Sequence, residues 1–208
     1  MGKNLIMTTK QFHRLSKSKK KTLVIQDVLA QITAKKYIAN VGNYLKPVFS
    51  KNINGEEQIN QAFDKIHSCQ VCGLGSMLLS CTHLGNKLTF SDIKIFEKYY
   101  ADSEVSLESE AVKNLFLSIF SPKELLLIET AFEGYSFFEN SSIKDMKKEK
   151  EEFDYNEGCS RYAKDELEEE LTFEETFACQ KFFKRFKNDE NRLKAICNNI
   201  LKNGTFKP

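Results

Sequence analysis

The chain has 208 residues, with 31 Lys and Arg against 29 Asp and Glu, 41% apolar residues, six cysteines, three prolines and no tryptophan. That length can bury a sizeable core, and the apolar and charged fractions fit a globular protein rather than a disordered one. No apolar run approaches the roughly 20 residues that span a bilayer, and Leu5-Ile6-Met7 is too short for a signal-peptide core. The expectation is a cytoplasmic protein with free thiols and no disulfide framework.

The charge is unevenly laid out. Residues 1–50 hold ten Lys and Arg against one acid, Asp27, whereas residues 145–175 hold thirteen acids against five bases. From Lys181 to Pro208 the balance is positive again, with eight bases against two acids. Such a layout sets surface fields and partner choice rather than fold. Two segments are therefore candidate interaction surfaces. One is the basic tract Lys17, Lys19, Lys20 and Lys21. The other is the acidic run Asp165, Glu166, Glu168, Glu169 and Glu170.

Taken in order, Thr8-Thr9 caps a short helix around Lys10–Leu15. The Lys17–Lys21 tract opens a longer helix, in which Val24, Ile25, Val28, Leu29 and Ile32 recur at helical spacing. Its cationic start is unusual, because a helix N-terminus is already the positive end of the dipole. Such a tract is tolerated where something anionic lies near, and nucleic acid and the chain's own acidic segment are two candidates. Residues 38–47 read as irregular or as a short strand pair, and Asn54-Gly55 is a turn. Glu56–Ile66 reads as a helix.

The stretch from Ile66 to Leu84 holds three cysteines and two histidines. From Val71 to Cys81 it is almost wholly apolar or small, as a helix in a protein interior is. Cys69, Cys72, Gly73, Ser76 and Ser80 fall on one helical stripe that admits a neighbouring backbone. The competing reading is a zinc site made by Cys69, Cys72, Cys81 and His83, a feasible tetrahedral set. The hydrophobic segment between the two pairs speaks against it. A redox Cys69/Cys72 pair lacks a thioredoxin-like surround, and a Cys-His nucleophile lacks an orienting partner. Acidic pairs such as Glu129/Glu133 and Glu151/Glu152 read as solvated helix faces. No metal, cofactor or small-molecule substrate is expected.

Further on, Thr89–Asp92 leads into a helix over Ile93–Tyr100, and Ser106 starts another through Phe120. Ser121-Pro122-Lys123-Glu124 is a full capping box with Pro at the first helical position, and Gly134 is the stop. Tyr135–Phe138 is an aromatic cluster, and 140–154 a charged loop or loose helix. Asp165–Glu175 is helical by propensity and continues through Phe186. A last helix carries Leu193, Ile196, Cys197, Ile200 and Leu201, with Gly204 beyond its end. The predicted fold is mainly α: a compact single-domain helical bundle over 1–208 with a buried central helix and a charged appendage around 140–175.

Four segments also carry a resemblance. Val24–Gln31, Cys69–Gly75, Ile128–Glu133 and Arg192–Pro208 resemble a group of small proteins of phages, prophages and bacterial mobile elements. The group carries no catalytic signature. Small mobile-element proteins of this kind often bind a host protein, and anti-CRISPR proteins are one such class. The resemblance therefore implies a non-enzymatic inhibitor that binds an RNA-guided host defence effector, with or without its guide RNA. The alternative is a nucleic-acid- or zinc-binding regulatory protein of a mobile element.

Overall fold

The computed structural model describes residues 9–42, 44–85, 88–93, 110–134, 142–146, 148 and 169–208. Helix α1 is Thr9–His13 and α2 is Lys17–Thr33. Ser16 caps α2, its hydroxyl accepting from the Lys19 amide at 3.4 Å, and Val24, Ile25, Val28 and Ile32 form the buried stripe. The helix stops at Lys35, whose φ of 60° lies in the left-handed region. The amides of Lys35 and Lys36 return to the carbonyls of Ile32 and Gln31. This is a helix-ending motif that normally uses glycine.

Strands β1 (Tyr37–Ala39), β2 (Leu45–Phe49) and β3 (Ile66–Val71) form a sheet in the order β1-β3-β2. β1 runs parallel to β3 and β2 antiparallel to it, so that Tyr37 and Pro47 flank Cys69 while Ala39 and Leu45 flank Val71. The sheet corrects the pure helical bundle, although the fold remains mainly α. Two strands do lie around 38–47, but they do not pair with each other, because β3 lies between them. The helix expected over 56–66 shrinks to α3 (Ile59–Ala62) and a 3-10 turn at Phe63–Lys65. Cys69 belongs to a strand, so the helical stripe cannot begin there. One face of the sheet buries Tyr37, Leu45, Cys69 and Val71, while Ile38 and Val48 are exposed, as the twofold period of a strand dictates.

Helix α4 (Gly73–Gly85) follows directly and is the buried central helix, with every residue from Gly73 to Thr82 out of solvent. Its glycines are contact points. A Cβ on Gly75 would sit 1.8 Å from the Tyr44 carbonyl oxygen. That oxygen accepts from the Cys72 amide at 3.3 Å and joins β2 to the helix start.

Helices α5 (Glu110–Leu117), α6 (Pro122–Glu133), α7 (Ile143–Met146), α8 (Phe173–Arg185) and α9 (Asp189–Asn203) complete the described elements. The capping box at α6 is half made. Ser121 accepts from the Glu124 amide, but the Glu124 carboxylate turns to Lys21 instead. A complete box occurs at α8, between Thr172 and Glu175. It starts the helix at Phe173, so Glu169 to Thr172 are not helical as expected, while 165–168 lie outside the described residues. Also outside them are 94–109, the aromatic cluster 135–138 and most of 140–154. One apolar cluster runs from Phe12 to Phe206 through α2, the sheet, α4, α6 and α9, and Met146 with Phe173 forms a small second one.

Candidate interaction surface

Helices α2 and α9 lie side by side and antiparallel. At one end Lys35 pairs with Glu190 at 3.0 Å, and at the other the Lys21 ammonium donates to the Gly204 carbonyl at 3.3 Å. This pairing brings two basic segments that are far apart in sequence to one end of the molecule. They are the Lys17–Lys21 tract and the tail carrying Lys202 and Lys207. The tail is strapped down. Phe206 is buried against Phe182 with ring centroids 5.3 Å apart, and its amide donates to the Glu124 carboxylate at 3.2 Å. Asn199 holds the Lys207 backbone through bonds of 2.6 and 2.9 Å.

The four lysines of the tract divide into two pairs. Lys17 donates to the Leu117 carbonyl at the end of α5, at 3.0 Å. Lys21 pairs with the buried Glu124. Both side chains thus make contacts within the chain, although Lys17 is exposed and Lys21 half-buried. The anion expected near the cationic helix start is thus Glu124, helped by the outward carbonyls of α5 and α9, the negative ends of those helices. Lys19 is exposed and Lys20 half-exposed. With the exposed Lys202 and Lys207 they form the outward charge of this end.

Of the acidic candidates, Asp165, Glu166 and Glu168 lie outside the described residues. Glu169 is half-buried and Glu170 exposed. At the end of that run Glu175 pairs with Lys123 at 2.9 Å, and Lys123 is held above its ordinary range chiefly by that hydrogen bond. Part of the acidic segment thus answers charge at the start of α6 rather than at the start of α2.

The cysteine and histidine set does not converge. Cys69 sits on β3, Cys72 precedes α4, Cys81 is inside α4, and His83 turns to Asp27. Among the described residues no group of three or more His, Cys, Asp or Glu is placed to hold a metal ion. Cys69, Cys72, Cys81, Cys179 and Cys197 are buried free thiols. Burial pushes Cys69 and Cys197 up to about 12 and raises Cys72 and Cys81 as well. Thiols in that state are poor nucleophiles.

One constellation was not foreseen. Both carboxylate oxygens of Asp27 lie 3.1 Å from His83 Nδ1, and Gln31 donates to the same carboxylate at 3.0 Å. The His83 ring stacks on Phe63 at 3.7 Å, and the Lys36 ammonium lies 4.1 Å from the Phe63 ring centre. Burial lowers Lys36 from its ordinary range, against the pull of Asp64 and Asp27. An aspartate so placed orients an imidazole, as in hydrolytic triads. Here, among the described residues, no hydroxyl or thiol hydrogen-bonds to the ring. Ser80 is bonded to Tyr37 at 3.2 Å instead. The one signal in the sequence was Asp27 itself, the single acid in the first 50 residues.

The chain matches no family model, no curated protein and no solved structure.

Proposed function

We propose that the chain is a non-enzymatic binding protein that inhibits a bacterial RNA-guided defence effector. It would engage the effector together with its guide RNA through the basic end of the α2–α9 pair. The observation that carries this reading is the convergence of Lys19, Lys20, Lys202 and Lys207 at one end, where none of the four has an acidic partner among the described residues. Clustered lysines contact phosphates without reading sequence. An inhibitor of a guided effector needs no sequence preference of its own, because the guide differs from complex to complex. Among the described residues, the Asp27–His83 pair has no nucleophile hydrogen-bonded to it, which favours binding over catalysis.

The test is co-purification with candidate RNA-guided effectors, loaded with guide RNA, for the natural chain and for Lys19→Ala/Lys20→Ala/Lys202→Ala/Lys207→Ala. A stable complex that weakens tenfold or more in the variant supports the reading. The loss should shrink as salt rises, because the released counterions carry the affinity. A complex of unchanged affinity in the variant removes the basic end from the mechanism. Tight RNA binding by the chain alone, with no effector retained, would favour the nucleic-acid-binding regulator instead.

A further inference from the structure

At the opposite end of the α2–α9 pair, the turn between β1 and β2 meets α6 and α9 through carboxylates. The Val41 amide donates to Asp189 at 3.2 Å, and the Gly42 amide donates to Glu133 at 2.8 Å. Gly42 has φ of 78°, so the turn needs its glycine. Glu133 is the last residue of α6, and the Cys72 thiol at the start of α4 lies near enough to favour its charged form. Its second oxygen, Oε1, is sealed from solvent and accepts no hydrogen bond among the described residues. The hydroxyl of Tyr44, itself 9% exposed, is likewise buried and has no hydrogen-bond partner among the described residues, beside Cys72 and Glu129.

The charges facing Glu133 come from each element at this corner. Asp189 on α9 opposes its ionisation. Arg192 on α9 favours it, but donates at 2.9 Å to Asp189 and also to the carbonyls of Phe132 and Phe186. Glu129 lies one turn back on α6 and also bears on Cys72 and Tyr44. The thiol and the Gly42 amide stabilise the carboxylate, yet burial outweighs them and raises the group to about 7 from an ordinary 4.5. A carboxylate oxygen sealed without a donor is costly when charged and tolerable as a neutral acid.

We propose that this corner is a proton-linked latch, in which a proton on Glu133 lets the backbone at Val41 and Gly42 close over α6 and α9. The proton is taken from water as pH falls and returned as it rises. The folded chain holds that proton over a range where the unfolded chain has already lost it. The latch is therefore strongest in acid, and its stabilisation is lost as pH rises through about 7. It is independent of the binding reading, because it sits at the far end of the helix pair.

Two measurements test it. Urea unfolding of the natural chain and of Glu133→Gln, at pH 5 and pH 8, isolates the group, because glutamine keeps the shape and cannot ionise. The unfolding constant of the natural chain should rise by tenfold or more between those pH values relative to Glu133→Gln. Parallel behaviour overturns the proposal. In the natural chain, the carbon resonance of the Glu133 carboxyl should titrate near pH 7. The exchange protection of the Val41 and Gly42 amides should fall through the same midpoint, while that of Ile196 holds. A midpoint below 5.5, or protection of Val41 and Gly42 that ignores it, would overturn the latch even if Glu133→Gln failed to fold.

Discussion

Lys21 and Glu124 form an ion pair across α2 and α6, and the carboxylate of that pair also accepts the backbone amide of Phe206. The side chains are 12% and 3% exposed. Three segments more than eighty residues apart in sequence are thereby tied at one point. Removing one member of such a pair leaves the other charged and buried, at a cost of about 3–5 kcal/mol. Lys21→Ala should destabilise the fold by an amount in that range, measured by urea denaturation. Lys19→Ala, two residues away and exposed, should cost under about 0.5 kcal/mol.

Gly75 should be the least tolerant glycine of α4. An added Cβ meets the Tyr44 backbone oxygen at 1.8 Å, and neither the strand nor the helix can retreat without breaking the Cys72–Tyr44 bond. Gly75→Ala should cost about 3 kcal/mol or more in unfolding free energy. At Gly73 the Cβ meets the Phe132 side chain at 3.0 Å, and helix propensity returns about 1 kcal/mol. Gly73→Ala should therefore be milder, while Gly73→Leu should disrupt packing against α6. Equal losses at Gly73 and Gly75 on alanine substitution would contradict the account of the helix start.

Lys35→Gly should stabilise the chain. Lys35 holds φ of 60° to end α2, a conformation that costs a side-chain-bearing residue about 1 kcal/mol. Its ion pair with Glu190 is largely in water, with Lys35 72% exposed, and such pairs contribute little. A net gain of about 0.5–1 kcal/mol should appear as a higher midpoint in thermal or urea unfolding.

The five described thiols should resist alkylation in the folded protein at pH 8. Burial raises the pH at which Cys69, Cys72, Cys81 and Cys197 become thiolates, so they stay protonated at pH 8, and Cys179 donates to the Leu127 carbonyl at 3.4 Å. Mass spectrometry after iodoacetamide treatment should find these positions unlabelled until denaturant is added. Rapid labelling of Cys69 or Cys72 in the native state would revive the redox reading.

Most helices were legible, because their signals are local. Ser121 caps α6 three residues before the amide it binds, and the apolar spacing of α2 and α9 is likewise local. Gly134 and Gly204 close α6 and α9 in the same way. The errors lie where a partner is remote. Strand β3 has its neighbours on strands some twenty to thirty residues earlier, and its short run Ile66–Val71 has no periodicity that separates it from a helix. The start of α8 was drawn too early because propensity extends an acidic helix, whereas the Thr172–Glu175 box stops it.

The candidate surface divides in the same way. That the N-terminal tract and the C-terminal tail are basic is written in composition. So is the conflict of a lysine-rich helix start with its own dipole. Which lysines stay available is a tertiary matter. Lys17 and Lys21 are taken by Leu117 and Glu124, and only the antiparallel docking of α2 on α9 places Lys202 and Lys207 beside Lys19 and Lys20. The corner around Glu133 divides likewise: the sequence marks Cys72 as a core thiol and Glu133 as part of a solvated acidic pair, and only the fold buries Glu133 beside Cys72, Gly42 and Asp189. Charge and capping act over a few residues and can be read along the chain. Desolvation and pairing depend on which surfaces the core brings together, and packing alone decides that.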